Sequence, residues 1–226
     1  MARDALTITA LSNLGAAQPS QLLGVAANDI AITPTYTDWL LFLEVENKGS
    51  ASATATIQTP VTYDGIPVDD VAIAVPAPAQ ATLTTACAGA NNDMTFTAVQ
   101  RGTGGNGISV AYVVSGLSTA LSIAITGLAV VVNVATDGAG AATSTAADIK
   151  TAWDASAAVN LATCANYTGN DGTGVVAAFA ATNLAGGAES VYVAKLYTMG
   201  TFLQSDGSIY VDLTVDSTLY FRCYRF

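Results

Sequence analysis

Hydrophobic and polar residues alternate with a period of two in several separate stretches of this sequence. Between residues 209 and 215, four apolar residues alternate with Tyr, Asp and Thr, and "ALTITAL" near the start shows the same pattern. Successive side chains of a β-strand point to opposite faces, so this alternation predicts half-buried strands. We therefore expect a mainly β protein built around an antiparallel β-sandwich or barrel-like domain.

Turn signals between the alternating stretches predict β-hairpins. Segments 39–46 and 51–58 flank the turn-forming residues 47–49, and this arrangement predicts that the two segments pair. Segment 116–135 is apolar enough to resemble a membrane span, but its apolar residues alternate with small polar ones and Gly127 interrupts them. We therefore interpret it as a second hairpin and predict no membrane-spanning segment.

One stretch, 144–159 ("STAADIKTAWDASAAV"), has the period of an α-helix. Its apolar residues at helical spacing are Ile149, Trp153 and Ala157. They would occupy one face, with Trp153 as an anchor beneath a sheet. Thr143 or Ser144 is expected to cap the helix, and Asp148 lies in its first turn.

Composition changes near residue 87 and again near residue 186. The segment between these points is richer in Gly and Ala, whereas both ends of the chain are aromatic, punctuated by Pro and alternating. Surface loops tolerate the insertion of a module whose ends lie close together. The sequence thus predicts one discontinuous β domain, made of residues 1–88 and 189–226, with a β-rich module carrying one helix inserted at 89–188.

The charge balance argues against a nucleic-acid partner. The chain has 7 Lys and Arg against 17 Asp and Glu, for a net charge of −10, and its cations are scattered. Nucleic-acid binders neutralise phosphates with clustered cations. Charged residues make up only 11% of the chain, which favours a surface partly covered by other subunits. The N-terminal residues lack the apolar run of a secretory signal, so we expect none there. We also expect no membrane partner.

A glycine-rich stretch, "RGTGGNGIS" at residues 101–109, raises the question of phosphate binding. Phosphate-binding loops place their glycines before a helix, usually with a following Lys, and dinucleotide sites need a strand–helix unit. Here "MTFTAV" precedes the glycines and "ISVAYVV" follows them, and both stretches alternate like strands. We interpret the stretch as a connection between two strands and predict no nucleotide cofactor.

Metal and disulfide sites are not indicated either. "GNDGTG" at residues 169–174 offers Asp171 as its one carboxylate, whereas a calcium loop needs several, so a turn is the favoured interpretation. The three cysteines, which are far apart and form no CxxC pair, are Cys87, Cys164 and Cys223. Zinc and disulfides are both disfavoured by this spacing. We expect three small buried side chains in a protein folded in a reducing cytoplasm.

Candidate catalytic groups are few. The chain has no histidine, which excludes nucleophile sites that rely on a His base. Glu44 and Glu46 share one face of a predicted strand, and Asp69 and Asp70 fall in a predicted turn. No neighbouring apolar pocket that would raise one carboxyl pKa is apparent, so both pairs are interpreted as solvated. We predict no catalytic residues and no enzymatic activity.

Several separate sequence marks resemble parts of tailed-bacteriophage virion proteins. "DMTFTA", "GNGISV", "STAADI" and "LAGG" resemble a module that recurs in phage structural proteins. In the outer segments, "ARDALTITAL", "VENKGSASATATI" and "FLQSDGSIYVDLT…YFRCYRF" resemble small β proteins that decorate or cement phage heads. The resemblance implies a head decoration protein that is made in the host cytoplasm and sits on the outer capsid surface. Its implied partners are the major capsid protein and itself, as a homotrimer at lattice three-fold positions.

The ordered chain ends are the candidate contact regions. The residues expected to contact the capsid or another subunit are Leu6, Ile8, Tyr220, Phe221, Tyr224 and Phe226. The alternative, that these residues belong to ordinary core strands, stays open at this point. Other functions also stay open. A tail-tube, tail-fibre or baseplate subunit could carry the same module, and a carbohydrate- or cell-surface-binding module would use an aromatic platform such as Tyr36 with Trp39 or Tyr192 with Tyr197.

Overall fold

A computed structural model describes residues 4–5, 8–10, 22–23, 30–33, 40–60, 62–63, 66–67, 69–197, 202–213 and 219–225. The chain divides into two compact units. We call residues 1–78 with 189–226 the terminal unit and residues 79–188 the inserted unit. Each unit has its own hydrophobic core.

Strands account for most of the regular structure. In chain order they are β1 (Asp4–Ala5), β2 (Ile8–Ala10), β3 (Leu22–Leu23), β4 (Ile30–Ile32), β5 (Leu40–Asn47), β6 (Ala53–Ile57), β7 (Thr62–Tyr63), β8 (Ile66–Pro67), β9 (Val71–Val75), β10 (Gln80–Thr84), β11 (Met94–Arg101), β12 (Ser109–Val114), β13 (Ser122–Thr126), β14 (Ala129–Val134), β15 (Ala162–Asn166), β16 (Phe179–Asn183), β17 (Ser190–Tyr197), β18 (Ile209–Leu213) and β19 (Leu219–Arg225). The α-helix among the described residues is α1 (Ala146–Asp154). The prediction of a mainly β fold is confirmed.

The terminal unit is built from two main sheets. One has the strand order β1-β4-β18-β6-β9 and the other β17-β5-β19-β2, with β3 also pairing with β19 and a separate β7-β8 ribbon. Pairing is antiparallel except between β1 and β4 and between β19 and β2. Both main sheets contribute apolar side chains to one core, including Ile30, Ile57, Leu43 and Phe221. This arrangement is the expected sandwich-like packing.

The predicted hairpin of 39–46 with 51–58 is wrong. Strand β5 pairs with β17 on one side and β19 on the other, whereas β6 pairs with β18 and β9 in the other sheet. Because both edges of β5 are occupied, β6 cannot also pair with it, and the chain crosses between sheets at residues 48–52. Local turn signals indicated where the chain turns but not which strands it joins.

Asn47 holds this crossing in place. Its side chain is fully buried, and Nδ2 donates to the carbonyl oxygens of Ala51 at 2.8 Å, Val75 at 3.0 Å and Pro76 at 3.0 Å. Its Oδ1 accepts a hydrogen bond from the Gly49 backbone N–H at 2.8 Å. The Asn47 amide thereby bonds backbone groups of the 48–52 connection and backbone groups at the end of β9. Buried backbone groups require such partners.

The inserted unit has two smaller sheets, β10-β11-β15 and β13-β14-β12-β16. The pairing of β12 with β14 is parallel, and the other pairings are antiparallel. Strands β13 and β14 form the hairpin predicted at 116–135, and Gly127 adopts a φ of 61° between them. That prediction is confirmed. None of the helices among the described residues is long and apolar enough to cross a membrane.

The helix departs from its prediction at both ends. Thr145, rather than Thr143 or Ser144, is the N-cap: its Oγ1 accepts from the Asp148 N–H at 3.2 Å, and its own N–H donates to Asp148 Oδ2 at 2.9 Å. Ser144 instead accepts a hydrogen bond from the Ala135 N–H. After Asp154 the chain turns into a short 3₁₀ segment, Ala157–Asn160, so Ala157 is exposed and Ala158 is buried.

The boundary of the inserted unit lies at 78/79, not at the expected 88/89. Strand β10, which precedes residue 88, pairs with β11 of the inserted unit and therefore belongs to it. The two ends of this unit also meet, since the Ala79 N–H donates to the Ala188 carbonyl at 3.0 Å. Adjacent ends allow a module to be inserted into a connection of another domain.

Candidate interaction surface

The glycine-rich stretch forms hydrogen bonds to both ends of the inserted unit, and we call this arrangement the clasp. It forms a 3₁₀ turn, Thr103–Gly107, that connects β11 to β12, which lie in different sheets. The Gly102 N–H donates to the Ala79 carbonyl at 2.9 Å. The side chain of Asn106 accepts from the Gly187 N–H and donates to the Gly187 carbonyl, both at 2.9 Å. The prediction that the glycines connect two strands is confirmed, and the stretch ties the beginning of the unit to its end.

Replacing Gly187 with alanine should destabilise this clasp. An added Cβ would lie 2.3 Å from the Gly102 carbonyl oxygen and 2.9 Å from Asn106 Oδ1. We expect a loss of about 1–3 kcal/mol in unfolding free energy, as for other overpacked sites. Urea unfolding measures it. Gly138→Ala is the matched control, because its nearest atom would be 3.8 Å away, and it should change stability by less than about 0.5 kcal/mol. Equal changes in unfolding free energy for Gly187→Ala and Gly138→Ala would contradict the stabilising role of the clasp.

The 169–174 loop uses its carboxylate within the chain. Asp171 Oδ1 accepts hydrogen bonds from the Thr173 N–H at 3.0 Å and from Thr173 Oγ1 at 2.7 Å. These bonds hold the pKa of Asp171 below its ordinary value. Within the part of the chain that the structure describes, no three His, Cys, Asp or Glu side chains are grouped so as to hold a metal ion. The loop has the hydrogen bonding of an Asx turn.

The three cysteines are free thiols. Cys164 and Cys223 are buried and Cys87 is half-buried. Burial raises the pKa of Cys87, and it raises the pKa of Cys164 to about 12. Since the thiolate is the reactive form, these two thiols are poor nucleophiles at neutral pH. They pack in the inserted unit as small apolar side chains.

Glu44 and Glu46 are not the solvated pair that the sequence suggested. Arg222 of β19 reaches both, since its Nη1 bonds Glu44 Oε1 and its Nη2 lies 3.4 Å from Glu46 Oε2. Lys48 Nζ lies 3.6 Å from Glu46 Oε1. Glu46 is only 7% exposed. Adjacent strands place these residues together, because Arg222 is opposite Glu44 and Tyr220 is opposite Glu46 in the β5–β19 pairing.

An aromatic ring completes this cluster. Lys48 Nζ lies 4.6 Å from the centroid of the Tyr220 ring, which is within cation–π range. We call Glu44, Glu46, Lys48, Tyr220 and Arg222 the charged face. It lies on the side of the sheet away from the core, because the intervening β5 residues point inward. The charges of this face are paired with one another, while Tyr220 stays partly accessible.

Among the strands that the structure describes, β17 lies at one edge of the same sheet. It has eight residues, or about 27 Å of extended chain. In the part of the chain that the structure describes, it pairs only with β5. Val191, Tyr192 and Val193 are consecutive and each is 47% exposed. Long apolar edge strands are ready templates for pairing with another chain unless Pro, charge or a bulge blocks them. The one charged residue within β17 is Lys195.

The predicted contact residues separate into four groups. Phe221 is fully buried in the terminal-unit core, so its side chain is not available to a partner, as the core-strand alternative expected. Tyr220 belongs to the charged face. Ile8 and Tyr224 lie within paired strands, opposite Cys223 and Phe42 respectively. Two further predicted residues, Leu6 and Phe226, lie outside the described residues.

The sequence interpretation missed both the charged face and the exposed edge. The ion pairs could not be anticipated, because Arg222 and Glu44 are 178 residues apart in the chain. The exposed strand could have been predicted from the sequence, because "SVYVAKLY" combines high β propensity with one charge and no proline. That composition is typical of a strand that needs a neighbour or a partner.

Of the four residues in the two aromatic pairs suggested by the sequence, Tyr192 is the one whose side chain the structure describes. Tyr36 and Trp39 lie outside the described residues. Tyr192 lies on strand β17 and is 47% exposed. No protein-family model, curated protein or solved structure matches this chain.

Proposed function

We propose that this chain is a non-enzymatic structural protein of a tailed-bacteriophage virion that binds the outer surface of the head. The sequence marks that resemble phage structural modules and head-decorating β proteins suggest this role. The structural observation that supports it most is the charged face, which combines an accessible tyrosine with a paired arginine. Tyr and Arg are enriched at protein interfaces and at their energetic centres.

The pairing within the charged face matters for binding. A partner surface removes water from the groups that it covers, and an unpaired charge covered in this way is costly. Arg222, Glu44 and Glu46 already satisfy one another and are each at least four-fifths buried. Covering them therefore adds little further desolvation. In this proposal Tyr220 supplies the apolar contact, and its hydroxyl remains available to a polar group of the major capsid protein.

Repetition on a lattice would strengthen such a contact. A capsid presents many copies of the same site, and one bound chain that touches two capsid subunits joins them. Effective concentration then raises the overall binding strength beyond that of a single contact. The expected consequence is a head that resists heat or chelation better with the protein bound than without it.

Binding to heads that lack the protein tests the proposal. We expect the purified chain to co-sediment with heads assembled from the major capsid protein of the same genome. Tyr220→Ala should weaken this binding by about 10- to 30-fold, as expected for loss of a central interface tyrosine. Tyr167→Ala is the matched control, because Tyr167 is an exposed tyrosine of the inserted unit, and it should bind like the wild type.

Two results would contradict this proposal. Failure of the wild-type protein to bind heads would exclude head decoration. Equal weakening by Tyr220→Ala and Tyr167→Ala would mean that the charged face is not the contact. Co-sedimentation with tails or tail tubes instead of heads would favour the alternative of a tail-tube, tail-fibre or baseplate subunit.

A further inference from the structure

We propose that strand β17 pairs with the β17 strand of a second copy of this chain, in an antiparallel register centred on Tyr192. The proposal concerns the outer edge of β17, where no other strand of the described residues pairs, rather than the charged face, and it does not depend on a capsid partner. The resulting contact has two-fold symmetry. It joins the β17-β5-β19-β2 sheets of two copies into one continuous sheet.

The first argument is the backbone edge itself. A strand at the edge of a sheet presents alternate N–H and C=O groups that a second strand can satisfy. Strand β17 is among the longest strands of the chain, and three consecutive apolar residues on it are nearly half exposed. Exposed apolar side chains along the outer edge of a sheet are a feature of strands that pair with another chain.

The second argument is charge complementarity in one particular register. In an antiparallel pair centred on Tyr192, each residue faces the one at the same distance on the other side of the centre. Val191 then faces Val193, and Glu189 faces Lys195, and each pairing occurs twice because of the two-fold axis. Opposite charges directly across a strand pair are favourable.

Other registers lack this match. Centring on Val193 places Lys195 opposite Val191, and centring on Lys195 places the two lysines opposite each other. A parallel pairing in register would align Lys195 with Lys195 and Glu189 with Glu189. Like charges directly opposite are unfavourable, so Lys195 of β17 together with Glu189, which immediately precedes the strand, favours the antiparallel register centred on Tyr192.

The third argument is the fit of the side chains on the two faces. Tyr192 lies on the same side of β17 as Leu196, which is fully buried in the core, yet Tyr192 is 47% exposed. The two-fold axis would place the Tyr192 rings of the two copies side by side and cover each one. On the opposite side, Val191 and Val193 would cover one another next to the charged face.

A two-fold contact differs from the homotrimer that the phage resemblance implies, so the solution mass distinguishes them. By light scattering behind a sizing column, we expect a mass about twice 22.8 kDa. A monomer at every concentration up to about 1 mM, a range that covers weak contacts below standard interface size, would overturn the proposal. A trimer would also overturn it.

Charge reversal tests the register. Lys195→Glu places a carboxylate opposite Glu189 in both halves of the contact, and we expect the dimer dissociation constant to rise about tenfold. Lys150→Glu is the matched control. It makes the same charge change on helix α1 of the inserted unit, where Lys150 pairs with Asp154, and it should leave the dimer intact. An unchanged dimer in Lys195→Glu would overturn the proposed pairing.

Cysteine cross-linking is independent of any effect that Lys195→Glu has on folding. Tyr192→Cys should form a disulfide-linked dimer under mild oxidation, because residues directly opposite have Cα atoms about 4.5–5.5 Å apart. Val193→Cys alone should not, but it should cross-link to Val191→Cys when the two variants are mixed. Equal cross-linking at all three positions, or none at Tyr192→Cys, would overturn the register. Wild-type protein gives the background from its three native thiols, two of which are buried.

Discussion

Trp153→Ala is expected to lower the unfolding free energy of the inserted unit by about 3–5 kcal/mol, the range for removing a large buried aromatic side chain. Trp153 is fully buried, and its ring centroid lies 4.7 Å from that of Phe96. Its Nε1 donates to the Ala162 carbonyl at 2.7 Å, so the side chain joins helix α1 to the start of β15. Alanine would leave both a cavity and an unpaired carbonyl.

Two measurements check this prediction. Urea unfolding followed by circular dichroism gives the free energy, and hydrogen exchange locates the loss, which we expect at the amides of β11 and β15. Trp153→Phe separates the two contributions. It keeps most of the ring contact but removes the donor, and it should cost less than the alanine variant, about 1–3 kcal/mol. A loss below about 1 kcal/mol for Trp153→Ala would mean that α1 is not anchored as described.

Asn47→Ala is expected to destabilise the terminal unit by about 2–4 kcal/mol, because buried backbone groups lose their partner. The Asn47 side chain serves three carbonyls and the Gly49 N–H, at distances of 2.8–3.0 Å. None of these groups gains a new donor or acceptor in the alanine variant. The volume lost is small, so the effect reports on hydrogen bonding rather than on a cavity.

Asn47→Asp tests the loss of the hydrogen-bond donor with little change in side-chain size. The carboxylate is nearly the same size and can still accept from Gly49, but it faces the carbonyl oxygens of Val75 and Pro76 without a hydrogen to donate. We expect it to be at least as destabilising as alanine near neutral pH. Asn133→Ala, which alters an asparagine at an exposed hydrogen bond to Ser122, is the control and should change stability by less than about 0.5 kcal/mol. Chemical denaturation measures all three, and a neutral Asn47→Ala would contradict the assigned role.

Features set by neighbouring residues could be predicted from the sequence, whereas features set by distant ones could not. The β13–β14 hairpin follows from alternation and one glycine, all within fifteen residues, and the structure has it. The helix was located, but its N-cap was misplaced because Ser144 bonds to Ala135 instead of capping. Short-range patterns do not reveal such a competing tertiary partner.

The candidate interaction surface gives a second example of the difference between features set by neighbouring residues and features set by distant ones. Glu44 and Glu46 share a strand face, as their spacing indicates, but only the pairing of β5 with the C-terminal strand brings Arg222 to them. The strands that pair with β5 also determine that β6 belongs to the other sheet and that β17 lies at an edge among the described strands. Strand order depends on packing between segments far apart in the chain, and no local pattern specifies it.

The proposed location of the chain on a phage head is tested most directly by finding where the chain lies on particles. Immunogold electron microscopy with antibodies against the purified chain would use particles produced from the genome that encodes the chain. We expect gold distributed over the outer surface of the head, and loss of that label from particles made without the gene. Label confined to the tail would contradict head decoration, and particles without label would contradict a virion role.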